Sequence, residues 1–520
     1  MPDIAPINPI TRTDYPDPDV IRVGDTYYMV STTMYFMPGC EILRSYDLVH
    51  WEHASYVYDR LDSTPAQRME GGKNIYGQGM WAASLKYHDG IFYICFVAND
   101  THKTYLYRSE NIAGPWKKSE IRGFYHDNSI LFDDDGRIYI VYGNREIHLT
   151  ELTPDLGGPK EGGIDRVIVR DDDDAPLGYE GSHFYKINGR YYLFLIHIPR
   201  NSGRTQACFS ADSLTAEFIG GEVLDDDRGY FHMGVAQGGI VDTPEGNWYA
   251  MLFQDSGAVG RIPILMPVTW ENGTPVFGDQ GHIPETFSFP EGRPEYTYAP
   301  LVGSDDFRMA SDDQEKSGSF GFRSFWQFNH EPELSLVKRD PAAGSVTITS
   351  GRLSRNLVQA PNTLTQRTVW PGCSAVVTVC GRNLREGDYA GLCLLESAYA
   401  FIALTRREDG LYFVTARRII DTPSIWGIRE DNEEAEETAC RKLEGDTVTL
   451  GAAAEFMNMK DEGRFFFMNG GAQETFGPAV QLRFRLDHFT GVRFGLFMFS
   501  TKEAGGSSVF SDFVYTVNDE

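Results

Sequence analysis

One pattern occurs five times in the first half of this 520-residue chain. Each copy has a strand, a turn in which Gly stands beside Asp, Asn, Glu or Arg, and a second strand rich in aromatic residues. Five such hairpins, spread over about 235 residues, predict radial repetition of the kind found in a five-bladed β-propeller. The copies are DVIRVGDTYYMV (19–30), ASLKYHDGIFYICF (83–96), SILFDDDGRIYIVY (129–142), SHFYKINGRYYLFL (182–195) and GGIVDTPEGNWYAMLF (238–253).

A tyrosine near the start of each second strand serves as a ruler along the repeat. The five tyrosines are Tyr28, Tyr93, Tyr139, Tyr192 and Tyr249. Eleven residues before the first and twelve before each of the others stand Asp17, Trp81, Asp127, Glu180 and Gln237. If the blades are equivalent, these positions lie at one end of the innermost strands and converge on the central axis. Three acids and an aromatic ring around one point are the groups that hydrolysis of a glycosidic bond requires.

The composition changes after the fifth hairpin. The stretch PETFSFPEGRPEYTYAPLVGS (284–304) holds four prolines, which is typical of a linker. Beyond it the chain contains many short alternating strands with Gly-rich turns and no βαβ units, a pattern that predicts a β-sandwich. We therefore expect an all-β protein with two domains, a five-bladed β-propeller over residues 1–290 and a β-sandwich over residues 303–520.

The charge and the cysteines restrict the partners and the compartment. A formal net charge of −27 and a pI near 4.8 argue against nucleic acids and anionic membrane surfaces, because phosphates would be repelled, and are compatible with a neutral sugar. No run of about 18 apolar residues is present to span a bilayer. The seven cysteines are odd in number and lie mostly in apolar strands, so we expect free thiols. The N-terminus lacks a secretory pattern. Together with the expected free thiols, this predicts a cytoplasmic protein.

The three acids could divide the chemistry of glycoside hydrolysis among themselves. One carboxyl group must protonate the leaving oxygen while another promotes attack on the anomeric carbon. Glu180 has the longer reach and suits proton delivery. Asp17 stands between Pro16 and Pro18, which stiffen its backbone, and suits the positioning of a water molecule. Asp127 would then keep the proton on Glu180 through its negative charge. The competing interpretation is that each acid only caps a turn or ends a strand.

These motifs resemble glycoside hydrolase family 43, the five-bladed inverting β-xylosidases and α-L-arabinofuranosidases. The matching pieces cover roughly residues 8–280 and are P-D-P (16–18), VGDTYYMVSTT (23–33), F-x-P-G (36–39), S-x-D-L-x-x-W (45–51), W-A-x-S-L-x-Y-H-D-G (81–90), HDNSILFDDDG (126–136) and EGSHFYKINGRYY (180–192). The resemblance implies that Asp17 is the general base, Asp127 the pKa modulator and Glu180 the general acid. For an inverting enzyme the base and the acid are expected roughly 6.5–9.5 Å apart.

The resemblance also extends to residues around the acids. It implies that Trp81 and Phe36 form an apolar wall for a sugar face, and that Arg261 contacts substrate hydroxyls. Many relatives have a histidine, often near a central metal ion, where this chain has Gln237. We therefore expect no required metal, although His232 could substitute for that histidine and a structural calcium ion on the axis, held mostly by waters, is compatible with the sequence.

The C-terminal half resembles the lectin-like β-sandwich that accompanies many members of this family, through SFWQFNHEPE (324–333) and NTLTQRT (362–368). In relatives this domain can lend one loop to the rim of the active site. It could instead provide a carbohydrate-binding surface or serve as a plain structural buttress. Many relatives are dimers or tetramers, so a homo-oligomer is also compatible with the resemblance.

The resemblance implies an inverting exo-glycosidase that removes single pentose units from xylan-derived oligosaccharides, with β-1,4-xylosidase as the first expectation. An α-L-arabinofuranosidase acting on arabinoxylan side chains is the second expectation, since the two sugars present similar hydroxyl groups. A non-catalytic carbohydrate-binding propeller and a retaining, fructan-processing enzyme with a related five-bladed fold are also compatible with the repeat. The partner in the main interpretation is a xylo- or arabinoxylo-oligosaccharide.

Overall fold

The structure is a computed structural model, and it describes residues 7–171, 174–309, 320–420, 428 and 434–518. Five four-stranded antiparallel sheets form the first half, as the hairpin repeat predicts. In every blade the strands follow one another in chain order from the axis outwards. The predicted five-bladed β-propeller is confirmed.

The strands of the five blades have the following bounds. Blade one contains β1 (Asp19–Val23), β2 (Thr26–Ser31), β4 (Gly39–Ser45) and β5 (Glu52–Tyr58), and β3 (Phe36–Met37) leaves it to join another sheet. Blade two contains β6 (Ser84–His88), β7 (Ile91–Ala98), β8 (Lys103–Ser109) and β9 (Lys117–Ile121). Blade three contains β10 (Ser129–Phe132), β11 (Ile138–Tyr142), β12 (Glu146–Leu152) and β13 (Asp165–Arg170). Blade four contains β14 (Leu177–Ile187), β15 (Arg190–Ile198), β16 (Thr205–Ala211) and β17 (Ile219–Leu224). Blade five contains β18 (Val235–Asp242), β19 (Trp248–Asp255), β20 (Arg261–Glu271) and β21 (Thr274–Phe277).

The innermost strands of the blades form a closed ring, because β1 contacts β6 and β18, and β10 and β14 complete the circle. Each innermost hairpin turn contains a glycine with φ between 66° and 86°, a backbone conformation that strains other residues. These are Gly24, Gly90, Gly136, Gly189 and Gly246. The apolar and aromatic residues of the second strands pack between neighbouring blades, so the blades themselves contain the core and the axis is left for polar groups.

The second half contains two large antiparallel sheets packed face to face, which confirms the β-sandwich. The first sheet has the order β3, β22 (Gln327–Asn329), β25 (Leu364–Arg367), β35 (Arg493–Ser500), β27 (Asp388–Leu395), β28 (Ala400–Arg407), β29 (Gly410–Arg417) and β30 (Glu436–Lys442). The second has the order β23 (Val337–Asp340), β24 (Ser345–Thr349), β36 (Ser507–Asn518), β26 (Gly372–Cys380), β31 (Thr447–Glu455), β32 (Glu462–Asn469) and β33 (Ala472–Thr475), with β34 (Val480–Gln481) also beside β32. Short 3-10 turns lie at Glu70–Gly72, Gly257–Val259, Leu334–Leu336, Leu357–Gln359 and Met457–Met459.

The two halves share a sheet. Strand β3, which belongs to the propeller by sequence, pairs with β22 of the sandwich through Phe328↔Met37 and Asn329↔Phe36. The two sequence pieces 324–333 and 362–368 lie at this seam, since they contain the paired strands β22 and β25. The domain limits 1–290 and 303–520 stay a prediction, and the shared sheet shows that the halves meet through more than a linker.

The proline-rich stretch is packed against blade one. The hydroxyl of Tyr298 accepts a hydrogen bond from the Tyr46 backbone at 2.9 Å, and the Ala299 N–H donates to Glu52 at 3.0 Å. Tyr46 and Tyr296 are in edge-to-face contact at 4.8 Å. All seven cysteines are unpaired thiols, and no helix in the described ranges is both long and apolar enough to cross a membrane.

Candidate active site

Hydrogen-bond register defines which residues of the five blades are equivalent at the axis. In each blade we take the residue four positions after the ruler tyrosine. It is joined by a backbone hydrogen bond, or paired within the sheet, to one residue near the start of the innermost strand. The residues in this first layer are Pro16, Trp81, His126, Glu180 and Ala236. His126 is thus equivalent in position to Trp81 and Glu180, and the ruler did not find it.

The residue that follows each member of the first layer is an extra residue in the pairing, as in a β-bulge. Asp17, Asp127, Gly181 and Gln237 all stand there with φ of 52°, 48°, 67° and 54°. The ruler therefore mixed two layers: Trp81 and Glu180 come from the first, and Asp17, Asp127 and Gln237 from the second. In blades three and five the hairpin turn has five residues instead of two, so a step of twelve residues stops one position after the first layer. Blade one has a two-residue turn like blades two and four, and there the shorter step of eleven residues had the same effect.

Asp17 is held by hydrogen bonds to both of its carboxylate oxygens. The Arg261 guanidinium donates to Oδ1 at 3.0 Å and the Thr32 hydroxyl donates to Oδ2 at 2.8 Å. Only 8% of the Asp17 side chain is exposed. Arg261 is buried and also lies 3.4 Å from Asp255, so it is part of a buried charge network at the axis.

Asp127 and Glu180 are linked through the imidazole of His126. The ring atoms Nδ1 and Nε2 lie 3.7 Å from Asp127 Oδ1 and 3.5 Å from Glu180 Oε2. Asn144 also donates its side-chain amide to Glu180. The exposed fraction of the side chain is 7% for Asp127 and 18% for Glu180, so Glu180 presents more surface to a ligand.

The electrostatics of this cluster follow from burial and crowding. Burial raises the pKa of Asp127 to about 7, with the charges of Glu180 and Asp17 adding to the effect and His126 opposing it. Burial by itself would lower the pKa of His126, but the charges of Asp127 and Glu180 outweigh it and raise that pKa to about 9. The site therefore retains protons near neutral pH.

The walls of the site come from both halves of the molecule. The Trp81 ring lies 5.8 Å from the His126 ring and 5.4 Å from Phe489, which belongs to the sandwich loop 482–492. The Arg261 guanidinium lies 4.7 Å from the Phe489 ring and 5.7 Å from Phe484 of the same loop. The resemblance implies a loop of this kind from the second domain, and the structure identifies which one it is.

Asp14 fixes that loop to the turn that carries Arg261. Its Oδ1 accepts the backbone N–H of Arg261 at 2.8 Å and its Oδ2 accepts that of Gly491 at 2.9 Å. Asp461 of the sandwich accepts the Ala258 N–H at 3.0 Å. The position of Phe489 relative to the acids is thereby set by backbone contacts across the domain boundary.

Two of the residues expected to bind substrate are buried. Phe36 is 0% exposed and its ring centroid lies 3.5 Å from the Arg493 guanidinium, so it supports the seam between the halves and offers no surface to a sugar, which corrects the expectation of a pocket wall. Gln237 is 5% exposed and packs against Gly181, where a β-carbon would lie 2.8 Å from its side chain.

Among the described residues, His126, Asp127 and Glu180 are the three metal-capable side chains whose donor atoms come within 4.8 Å of one another. The donor atoms of these three side chains would hold a divalent cation at this site. The His232 side chain is 100% exposed and lies 3.7 Å from Asp227, so this structure gives it no role in a buried axial site. The absence of a required metal stays a prediction.

The fold and the acid-lined axis together define a class of propeller–sandwich proteins. A model described as glycosyl hydrolases family 43 matches residues 6–275, and one described as the β-xylosidase C-terminal concanavalin A-like domain matches residues 321–516. The chain belongs to glycosyl hydrolases family 43.

Known relatives carry two kinds of names. A β-xylosidase of Formosa agariphila is 30% identical over 64% of this chain, and a non-reducing end α-L-arabinofuranosidase of Bacteroides ovatus is 27% identical over 74% of it and 72% of the relative. A solved structure described as a bifunctional GH43-CE protein of Bacteroides eggerthii is 38% identical with a TM-score of 0.90 over 99% of this chain. The chain spans 60% of the first relative and 64% of that solved chain.

Proposed function

We propose that the protein is an inverting exo-glycosidase that releases single pentose units from the non-reducing ends of xylan-derived oligosaccharides, with β-1,4-xylosidase as the leading activity. The observation that carries this proposal is the gathering of Asp17, Asp127 and Glu180 at the axis beside an aromatic wall. Neutral sugars need such a wall for their apolar faces and carboxyl groups for the bond that breaks. Family membership and the relative named β-xylosidase support it.

In this proposal Asp17 is the general base. Hydrogen bonds from Arg261 and Thr32 fix the plane of its carboxylate, so a water molecule bound to it would be held in one direction. A fixed base and a fixed water remove much of the entropic cost of bringing the nucleophile to the anomeric carbon. Arg261 would compensate the negative charge before the proton is taken.

Glu180 is the general acid in this proposal, because it is the more exposed of the paired carboxyl groups and can reach a leaving oxygen. Asp127 lies deeper and competes with it for a proton, since two neighbouring carboxylates cannot both be charged without repulsion. His126, with its pKa raised to about 9, would remain positively charged at neutral pH. It would stabilise the Glu180 carboxylate that remains after the proton has been transferred.

The loop of the sandwich that carries Phe489 supports an exo mode of action. The Phe489 ring contacts the Trp81 ring, with 5.4 Å between ring centroids, and a wall that a second domain helps to build limits how much of a polymer can pass the acids. A cleft closed on one side favours the terminal unit of a chain.

An α-L-arabinofuranosidase is the second candidate, because a Bacteroides ovatus relative that covers more of this chain carries that name. We further propose that the protein needs no metal and acts in the cytoplasm, which its seven unpaired thiols support.

The test is hydrolysis of aryl β-D-xylopyranoside, aryl α-L-arabinofuranoside and xylobiose by the purified protein, with proton NMR of the first sugar released. We expect faster release from the xyloside and an inverted anomer. A clear arabinoside preference would replace the leading activity by the second candidate. A retained anomer would contradict the inverting mechanism. If none of the three substrates is hydrolysed, the non-catalytic carbohydrate-binding propeller becomes the favoured interpretation.

A further inference from the structure

The two carboxylate oxygens of Glu180 have different surroundings. The His126 Nε2 atom lies 3.5 Å from Oε2, and the Asn144 side-chain amide donates to the same Oε2. In the described part of the chain no hydrogen bond reaches the other oxygen, Oε1. Oε1 is also not one of the buried polar atoms that lack a partner, so it keeps surface that is open to a ligand.

Asn144 lies in the turn between β11 and β12, and this turn is fixed on both sides. The N–H of Gly143 donates to the His126 carbonyl at 2.9 Å, and the N–H of Arg145 donates to the Tyr179 carbonyl at 2.9 Å. Tyr179 is the residue before the proposed acid in β14. The backbone on each side of Asn144 is therefore tied to a chain segment that carries one of its two neighbours at the axis.

The same turn has a backbone conformation that side chains disfavour. Arg145 has a φ of 62° and Gly143 has a φ of 125°, and a positive φ is uncommon for a residue other than glycine. A β-carbon at Gly143 would lie 2.2 Å from the Glu146 carbonyl oxygen. Strain of this kind persists where the surrounding contacts enforce it, and it is concentrated at functional sites. Here the strained turn holds the exposed Asn144 against Glu180.

Two donors on one oxygen decide which oxygen carries the proton of the acid. In the function proposed above, His126 is protonated at neutral pH, and a protonated imidazole donates from both ring nitrogens. The NH₂ group of an asparagine also only donates. Both groups need a lone pair on Oε2 and exclude a proton from it. The proton of Glu180 is then on Oε1, the oxygen that is open to a ligand.

We propose that Asn144 is a positioning residue for the general acid: by donating to Oε2 of Glu180 it keeps the acid proton on Oε1, toward the leaving group. This inference rests on the function proposed for the axis. In the reaction the O–H bond at Oε1 breaks and its proton joins the glycosidic oxygen. The bond from that oxygen to the anomeric carbon breaks, and its electron pair stays on the oxygen. Water attacks the anomeric carbon and gives a proton to Asp17.

The contact from Asn144 becomes stronger as this reaction proceeds. Before proton transfer Oε2 belongs to a neutral carboxylic acid, and after it Oε2 belongs to a carboxylate. A hydrogen bond to a charged acceptor is roughly twice as strong as one between neutral groups. An interaction that is stronger in the transition state than in the ground state accelerates the reaction. Asn144 therefore orients the proton and also stabilises the charge that develops on Glu180.

The experiment compares leaving groups in the wild type and in Asn144→Ala. The substrates are the 2,4-dinitrophenyl and phenyl pentosides of whichever sugar, xylose or arabinose, the wild type hydrolyses faster. Dinitrophenolate leaves with little help from an acid, whereas phenolate needs the proton. We expect Asn144→Ala to lower kcat for the phenyl pentoside by about tenfold and kcat for the dinitrophenyl pentoside by less than about twofold, with KM unchanged for both.

Asn144→Asp separates the placement of the proton from simple packing. Aspartate keeps the shape of asparagine, but its carboxylate accepts a hydrogen bond and so draws the acid proton to Oε2, away from the leaving group. We expect kcat for the phenyl pentoside to fall by about a hundredfold, more than with alanine, while the dinitrophenyl pentoside is again affected little.

The matched control is Asn469→Ala. Asn469 is exposed on the β32–β33 hairpin of the sandwich and donates its amide to Glu474 at 2.6 Å, so the variant removes the same kind of contact from another domain. We expect wild-type kinetics with both substrates. The melting temperature of each variant, measured alongside, shows that it is folded.

Several results would overturn the role of Asn144 and leave the glycosidase function standing. These are equal losses with both leaving groups, a rise in KM without a change in kcat, wild-type kinetics of both Asn144 variants, or an Asn144→Asp variant as active as Asn144→Ala. A wild type that hydrolyses neither pentoside would overturn the proposed function together with this inference.

Discussion

The floor of the candidate site and its wall come from two regions built on different principles. The floor is made by the propeller, where a repeated bulge brings one or two residues from each blade to the same axis. The wall is completed, beside Trp81 of the propeller, by a single loop of the sandwich, whose interior is otherwise apolar. The repeat supplies charged groups that must act together, whereas the loop supplies shape.

From this difference we expect that, in the proposed reaction, changes in chemistry and changes in selectivity can be made separately. Asp17, Asp127 and Glu180 belong to blades and would remain together without the sandwich loop. Phe489 belongs to the loop and depends on Asp14 and Gly491 for its position. Changes in the floor should abolish the reaction, and changes in the wall should alter which sugar is accepted.

The largest effect is expected from Glu180→Gln. If Glu180 is the proton donor, as proposed, its loss should lower kcat by about 10²–10⁴, while the melting temperature stays close to that of the wild type because glutamine keeps the volume of the side chain. Steady-state kinetics on an aryl xyloside measures this, with Glu245→Gln in an exposed hairpin turn as the control. Equal activity of Glu180→Gln and the control would remove Glu180 from the mechanism.

The next effect is expected from Phe489→Ala. Removal of the ring that faces Trp81 and Arg261 should lower kcat/KM for the preferred pentoside by about tenfold or more, since it removes roughly 1.5–3 kcal/mol of apolar contact. The ratio of xyloside to arabinoside activity should also change. Leu486→Ala, on the same loop and 45% exposed, is the matched control. If both variants behave alike, the loop does not form the wall.

A smaller effect is expected from His126→Asn on the pH dependence of kcat/KM. The imidazolium opposes protonation of Asp127, whose pKa is about 7. Without it, the carboxyl pair holds its proton more tightly, so the descending alkaline limb should move to higher pH by about one unit. The measurement is a full pH–rate profile of both proteins. A shift to lower pH would show that His126 does not act through charge.

The smallest effect on the reaction is expected from Asp14→Asn. The two oxygens of Asp14 accept separate backbone N–H groups, from Arg261 and Gly491, and an asparagine must turn its NH₂ group toward one of them. The free energy of unfolding should fall by about 1–3 kcal/mol, with only a few-fold loss of kcat/KM. Urea unfolding measures it against Asp25→Asn, whose carboxylate is exposed. An unchanged unfolding midpoint would show that the contacts of Asp14 with Arg261 and Gly491 do not stabilise the junction of the two domains.

The sequence predicted the five blades, the sandwich and five of the residues at the axis, because hairpin turns and alternating strands are local patterns. It failed for Phe36, since nothing local shows that strand β3 leaves its blade to pair with β22. It also missed His126, although its neighbour Asp127 was found. A ruler that allowed for the five-residue hairpin turn of blade three would have placed His126 beside Trp81 and Glu180.

By itself the sequence determined the number of blades, the all-β class and the presence of three acids near one end of the innermost strands. Only the tertiary structure decided which sandwich loop reaches the acids, that Arg261 pairs with Asp17, and that His126 lies between two carboxylates. These depend on side chains from segments far apart along the chain. Their charges act through distance and burial, and both are properties of the folded molecule.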